Sequence, residues 1–333
     1  MTDTRATLFG QPMPTLPGGG SLAGFNLPAE LVHPMLRACR AINTLADLVF
    51  YDIGPLLAHN LRGTLITALM QHRTNVADGP AVVSLNLSAL ADPEGTILVV
   101  DPQRPPFVTP YQTIDAFLAA LGALPTLDTI TITGVGSSAL GSAAFAWNVA
   151  AALGRPVAAI VPGYGLADLV PQGLGGWCFG LEDWLRRTTQ AVLGMTAPEL
   201  AGIGRRLSAE ARAAEPFETG SPESDILHAL LRRSGRITRL YGHSKGALCI
   251  ENALRSLKPP PTRALRVTTF GCVIDEDTDA TYHQVLGTID GLGRLNSWFN
   301  QPDQWIEAWH TTNTMLPSPM PVTALVAQAL AAP

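Results

Sequence analysis

Residues 236–257 read RITRLYGHSKGALCIENALRSL, and how they fold decides the class of the whole chain. The opening RITRLY is rich enough in β-branched and aromatic residues for a short strand. Further on, Ile250, Ala253, Leu254 and Leu257 recur at helical spacing on one face before Pro259 ends the run. Between the two stands Gly242-His243-Ser244-Lys245-Gly246. A serine between two glycines at a strand-to-helix junction implies a turn so tight that a Cβ at either glycine would meet the neighbouring strand or helix.

The same alternation recurs outward from this turn. Strand-like runs are AVVSLNL (81–87), TILVV (96–100), TITIT (129–133), PVAAIV (156–161) and ALRVTTF (264–270), and helical runs are TIDAFLAALGAL (113–124) and SAAFAWNVAAALG (142–154). Strands alternating with helices predict an α/β fold, a mostly parallel sheet with helices on both faces. Residues 1–25, rich in Pro and Gly, are expected to form a flexible arm. Residues 26–75 read as an N-terminal helical extension, with an apolar stripe of Leu31, Met35, Leu36, Ile42, Leu45, Leu48 and Val49 and a break at Gly54 and Pro55. That stripe suits packing on a core or meeting a partner, and periodicity does not choose between them. Residues 76–333 form the main domain. About 70 residues separate the strand ending near Pro162 from the one starting near Arg236, too many for a simple crossover. They predict a helical insertion over about 164–235 that caps the C-terminal edge of the sheet.

Composition narrows the function classes. A chain of 333 residues with 47% apolar content can bury a large core, and its net charge of -5 comes with no block of Lys or Arg. The pairs Arg186–Arg187, Arg205–Arg206 and Arg232–Arg233 recur on helical stretches and read as solvated faces, so nucleic acid is not an expected partner. Cys39, Cys178, Cys249 and Cys272 form no CxxC and read as free thiols in a reducing compartment. With no apolar h-region at the N-terminus and no run of about 18 uncharged apolar residues, the expected location is cytoplasmic. The positive mean hydropathy suits an apolar substrate groove or an alanine-rich core equally, and a membrane or lipid surface stays open as a partner. Oligomeric state is not readable.

Residues 129–169, TITITGVGSSALGSAAFAWNVAAALGRPVAAIVPGYGLADL, carry a resemblance. Together with the Gly242–Gly246 turn they resemble the esterase and lipase branch of the α/β-hydrolase superfamily. In that branch a strand ends in His-Gly-x-Gly-Ser-Ser, a Trp-bearing helix follows, and the next strand ends in Pro-Gly-x-Gly-x-Ser-Asp. Thr133 stands where that pattern has histidine, and Ala167 where it has the serine before Asp168. The resemblance implies a nucleophile elbow at Ser244. It further implies an oxyanion hole from the backbone N–H groups of Lys245 and Val135, with Gly134 and Gly136 letting the chain pass close to substrate. His243, beside the serine, and Trp177, in the apolar insertion with Phe179, Leu181 and Trp184, are expected to join Gly134 and Gly136 in binding substrate.

The same fold orders its triad as serine, acid, histidine. Only His283 and His310 follow Ser244. His283 sits at the start of a strand-like run, the wrong edge of a parallel sheet, whereas His310 opens a loop after the short run QWIEAW and is the expected base. Asp290 and Asp303 are the candidate acids. Asp290 is preferred because it closes the strand-like YHQVLGTID, with Gly291 and Gly293 allowing a turn. Asp303 opens the last strand and would be left at the opposite edge, about 20 Å away at roughly 3.3 Å per residue.

Two other readings, a dinucleotide-binding oxidoreductase and a calcium loop, fit less well, each on particular residues. Gly134-x-Gly136-x-x-Ala139 fits a dinucleotide fingerprint, but the next strand, AAIVPGYG, ends without the acid that would bind a ribose. Asp275, Asp277 and Asp279 are spaced like a calcium loop, yet Ala280 and Leu286 stand where Gly and Glu are needed. No cofactor and no metal are expected. The function expected is that of a serine hydrolase cleaving carboxylic esters of apolar acyl groups through an acyl-enzyme. An acyltransferase or thioesterase would use the same three residues, and a non-catalytic binding module could keep the same fold.

Overall fold

The computed structural model describes residues 7–8, 11–12, 44–59, 95–134, 137–162, 222–257, 261, 263–276, 278–297 and 300–331. The expected strand at 81–87, most of the arm and extension, residues 164–221 of the expected insertion, with Trp177, and Val135 and Gly136 lie outside the described residues.

Eight strands form one sheet: β1 (Ile97–Val100), β2 (Val108–Tyr111), β3 (Thr129–Ile132), β4 (Val157–Ile160), β5 (Arg239–His243), β6 (Arg266–Phe270), β7 (Thr281–Gly287) and β8 (Gln304–Ile306). Their order is β8-β7-β6-β5-β3-β4-β1-β2. All pairs are parallel except those of β1, which runs antiparallel to both β2 and β4. A separate two-residue pairing joins Thr7–Leu8 to Gln11–Pro12.

Strand residues alternate between two cores, as a pleat of period two requires. Leu98, Val100, Val157 and Ala159 face one core with Phe145, Val149, Val322 and Leu325. Ile97, Val99, Ala158 and Ile160 face the other with Phe117, Leu227, Leu230, Ile250 and Leu254. Six helices accompany the sheet: α3 (Ile114–Leu121), α4 (Ala139–Leu153), α5 (Pro222–Arg233), α6 (Lys245–Ser256), α7 (Gly291–Asn296) and α8 (Val322–Ala331). Helices α4 and α8 cover the first face, and α3, α5 and α6 the second. Both faces are therefore clad, which is why the inner strands read as continuous apolar or Thr-rich runs. No helix among the described residues is long and apolar enough to cross a membrane.

Three elements differ from expectation. Strand β2 carries Pro110, which argues against a strand, but β2 is the sheet edge, where a missing N–H costs no ladder bond. Helix α5 falls at the end of the expected insertion, yet it packs against α3 and α6 and buries Leu227 and Leu230, so it belongs to the helical layer and not to a cap. Helix α8, unpredicted, buries Val322, Leu325 and Val326 alongside α4.

Before the sheet, residues 44–50 and 54–59 are helical, separated at 51–53; we call them α1 and α2. Tyr51, Ile53 and Leu56 join the first core, so this part of the extension packs inward. Its apolar stripe does not: Leu45, Leu48 and Val49 are exposed, while Asp47 is buried. The inward face of α1 is polar because it meets the backbone N–H groups that open α4, described next.

Candidate active site

Four segments reach the same edge of the sheet: those following β3, β5, β7 and β8. Ser244 follows β5 directly and stands at the N-cap position of α6, with φ 54 and ψ -128 and no side-chain capping bond. A left-handed φ on a residue bearing a Cβ costs about 1–3 kcal/mol and persists only where the surroundings over-determine it. Here they do. A Cβ on Gly242 would come within 2.7 Å of the Ala247 backbone, and one on Gly246 would overlap the Ile132 carbonyl oxygen. Strand β3 and helix α6 thus leave one path for the turn, and the Ser244 N–H donates to the Phe270 carbonyl at 2.9 Å.

His310 lies four residues beyond β8, and Asp290 three residues beyond β7. The His310 Nε2 is 2.8 Å from the Ser244 Oγ. On the other side of the ring, Nδ1 is 2.8 Å from the Asp290 Oδ2 and 3.0 Å from Oδ1. A carboxylate only accepts, so Nδ1 carries the proton and donates it to Asp290, leaving the Nε2 lone pair for the serine hydroxyl. All three side chains are buried.

Asp290 does not end a strand as expected; β7 stops at Gly287. Asp290 is instead the N-cap of α7, its Oδ1 accepting from the Gly293 N–H at 2.6 Å. That cap fixes the carboxylate so that its remaining capacity points at the histidine. Gly291 and Gly293 lie within α7 and make no turn. Gly293 is required for space, since a Cβ there would overlap the Asp290 carboxylate.

The rejected candidates have other roles. Asp303 accepts from the Gln284 N–H at 2.7 Å, joining the start of β8 to β7. His283 lies within β7, paired in register with Thr268 of β6.

Gly134, just past β3, runs against Ser244: a Cβ on it would sit 3.0 Å from the Ser244 Cβ and 3.4 Å from Oγ. Lys245, as the first residue of α6, has an N–H with no acceptor inside its own helix, the condition for an oxyanion donor. Its side chain turns to Glu223 at 3.6 Å. Val135, the other expected donor, its neighbour Gly136 and the expected substrate contact Trp177 fall outside the described residues.

His243, expected to bind substrate, is buried. Its ring lies 5.0 Å from the His310 ring, and its Nδ1 lies 3.0 Å from the Tyr51 hydroxyl. Burial, with a smaller contribution from His310, holds its pKa well below the usual histidine value, so the imidazole is neutral.

Two residues escape the sequence reading altogether. The Tyr51 hydroxyl accepts from the Gly134 N–H at 2.7 Å. The same hydroxyl also hydrogen-bonds the His243 Nδ1 at 3.0 Å. Asp47 Oδ2 accepts from the Ser138 N–H at 2.9 Å, the Ser138 hydroxyl at 2.5 Å and the Gly141 N–H at 3.1 Å, all at the start of α4. The signal was an aspartate inside the apolar run INTLADLVFY, a pattern that marks a buried polar group with partners elsewhere. The same segment holds the histidine loop. Asn313 Nδ2 donates to the Leu48 carbonyl, Thr311 Oγ1 to that of Val49, and Thr312 through both its N–H and Oγ1 to that of Phe50.

Burial raises the Asp47 pKa from 3.8 to about 6, against the lowering effect of its Ser138 and Gly141 hydrogen bonds. The folded chain therefore holds this proton more tightly than the unfolded chain. The stabilisation is fully present below the unfolded pKa of 3.8 and is lost as pH rises through about 6. Relative to Asp47→Asn, the native protein should lose up to about 3 kcal/mol of stability between pH 4 and pH 7. Urea denaturation of both proteins across that range checks it, and a constant difference would contradict the burial of an ionised carboxylate here.

Among the described residues no group of three or more His, Cys, Asp or Glu could hold a metal ion. Cys249 and Cys272 are buried and not joined in a disulfide, and the Cys249 Sγ donates to Glu223. No protein-family model matches the chain, and no curated protein and no solved structure is significantly similar to it.

Proposed function

We propose that the chain is a serine hydrolase of the α/β-hydrolase type, cleaving carboxylic esters of apolar acyl groups through an acyl-enzyme intermediate. The observation that carries this reading is the hydrogen-bonded series Asp290–His310–Ser244, with its serine on a strained strand-to-helix turn. In this reading the Ser244 Oγ attacks the ester carbonyl while His310 Nε2 takes its proton. Asp290 stabilises the imidazolium that forms and holds the Nδ1–H tautomer. The amide of Lys245, with that of Val135, takes the charge that develops on the carbonyl oxygen. His310 then protonates the departing alkoxide, and water repeats the sequence on the acyl-enzyme to release the acid. A neutral His243 next to His310 suits this cycle, because a second imidazolium 5.0 Å away would oppose the first.

The acyl group expected is apolar. Leu45, Leu48 and Val49 are exposed on α1, whose Leu48 and Val49 carbonyls hold the loop after His310, and Met315 is exposed on that loop. Each buried CH₂ is worth about 0.8 kcal/mol, or up to roughly fourfold in kcat/KM when expressed in the transition state. Across p-nitrophenyl esters from acetate to octanoate, kcat/KM should therefore rise with acyl length. Purified protein that turns over none of the series would overturn the hydrolase reading. A steady fall with each added carbon would leave it standing and show a closed acyl pocket.

A further inference from the structure

The N-terminal segment bearing α1 is tied to both halves of the site, and its contacts fall at particular places. The Tyr51 hydroxyl bonds the residue immediately before each reacting position: Gly134, which precedes Val135, and His243, which precedes Ser244. Asp47 grips the far end of the same loop at Ser138 and the first turn of α4. Gly134 on one side and Ser138 on the other are thus both held by one helix and its following residue, across about 90 residues of sequence.

We propose that Tyr51 and Asp47 are positioning residues for the oxyanion hole, with Tyr51 setting the distance between the nucleophile strand and the oxyanion loop. This inference rests on the serine-hydrolase reading of the site. Gly134 approaches Ser244 so closely that a Cβ on it would lie 3.0 Å from the serine Cβ, and its N–H is held by Tyr51. That hydrogen bond fixes the peptide plane entering the loop, while Asp47 fixes the one leaving it. Both side chains are buried and already bonded to the protein: the phenol oxygen accepts from Gly134 and hydrogen-bonds His243, and the Asp47 Oδ2 has three donors. Their influence on chemistry passes through the backbone amides of the loop. A hydrogen bond aimed where charge develops acts in the transition state and not on bound substrate, so misplacing its donor should lower kcat and spare KM.

The test is Tyr51→Phe, which removes one oxygen and keeps the ring. We expect kcat to fall by about tenfold or more, against the 10² or more that follows outright removal of a donor, with KM within about twofold. Affinity for a trifluoromethyl ketone, which forms a tetrahedral oxyanion adduct on serine, should fall by the same factor as kcat/KM. Affinity for the matching methyl ketone, measured by competition, should hardly change. Unchanged kinetics, or equal weakening towards both ketones, would overturn the proposal. If Tyr51→Phe does not fold, as judged by thermal melting, the same ratios are read on Asp47→Asn. Failure of both to fold would also overturn it, since the residues would then be structural. Fluorophosphonate labelling of the wild-type protein separates this from the underlying reading: an unlabelled wild type removes the hydrolase itself, whereas a labelled wild type with an indifferent Tyr51→Phe removes only the positioning role.

Discussion

Ser244→Ala is expected to lower ester turnover by a factor on the order of 10³ to 10⁶ while leaving the fold intact. The backbone at this position is held by the flanking glycines and by the Ser244 N–H to Phe270 bond, none of which involves the hydroxyl. The variant loses the Oγ and its bond to His310, and keeps the elbow. Thermal melting should be close to wild type, and turnover should collapse in kcat. Turnover of the purified variant within tenfold of wild type would remove the nucleophile role.

The second large effect is expected at the acid. Asp290→Asn should cost on the order of 10⁴ in turnover, because an amide facing His310 can donate to Nδ1, favouring the tautomer that carries its proton on Nε2 and cannot accept from serine. The same variant can still accept from the Gly293 N–H, so α7 should keep its cap and the loss should be chemical. Asp303→Asn provides the contrast. Its carboxylate accepts from the Gln284 N–H, a bond an asparagine oxygen can also make, so turnover should change by less than about tenfold. Steady-state kinetics on the two variants decide the assignment, and the reverse order would return the acid to Asp303.

How much of this was readable beforehand follows from what sequence spacing records. The strand, turn and helix around Ser244 are local, and two glycines plus a helical stripe specify them, so that part of the fold was legible. The placing of the base needed only the rule that reacting residues follow strands at one sheet edge, and His310 comes after β8 as that rule requires. Asp290 was singled out for a partly different reason from the one the structure supplies. The expected strand ended at the aspartate, whereas β7 ends at Gly287 and the carboxylate is aimed by capping a six-residue helix. N-cap chemistry was present in the sequence, but adjacent glycines look like a turn until Asp290 is seen filling the space a Cβ would need. Asp47 stands out as a polar residue in an apolar run, but the partners of Asp47 and Tyr51 were not legible, because they lie 83 to 192 positions away and no local period reports such contacts. His243 was expected at the substrate surface because it adjoins Ser244. Residues alternate about a strand, however, and the last position of β5 directs its ring into the core beside Phe145.

The site also shows where stability is given up. Ser244 sits at positive φ, and Asp47 is a buried carboxyl whose raised pKa disfavours its ionised form at neutral pH. Both features are costs that a fold selected for stability alone would shed, and both lie in the segments that converge on the serine.

The central claim is that Ser244 is an activated nucleophile, and covalent labelling tests it most directly. The wild-type protein is treated with a fluorophosphonate, digested, and its peptides are mapped by tandem mass spectrometry. A single adduct on Ser244, absent from Ser244→Ala and slowed in Asp290→Asn, is the predicted result. Labelling at another residue, or none at Ser244 in folded wild-type protein, would contradict the account.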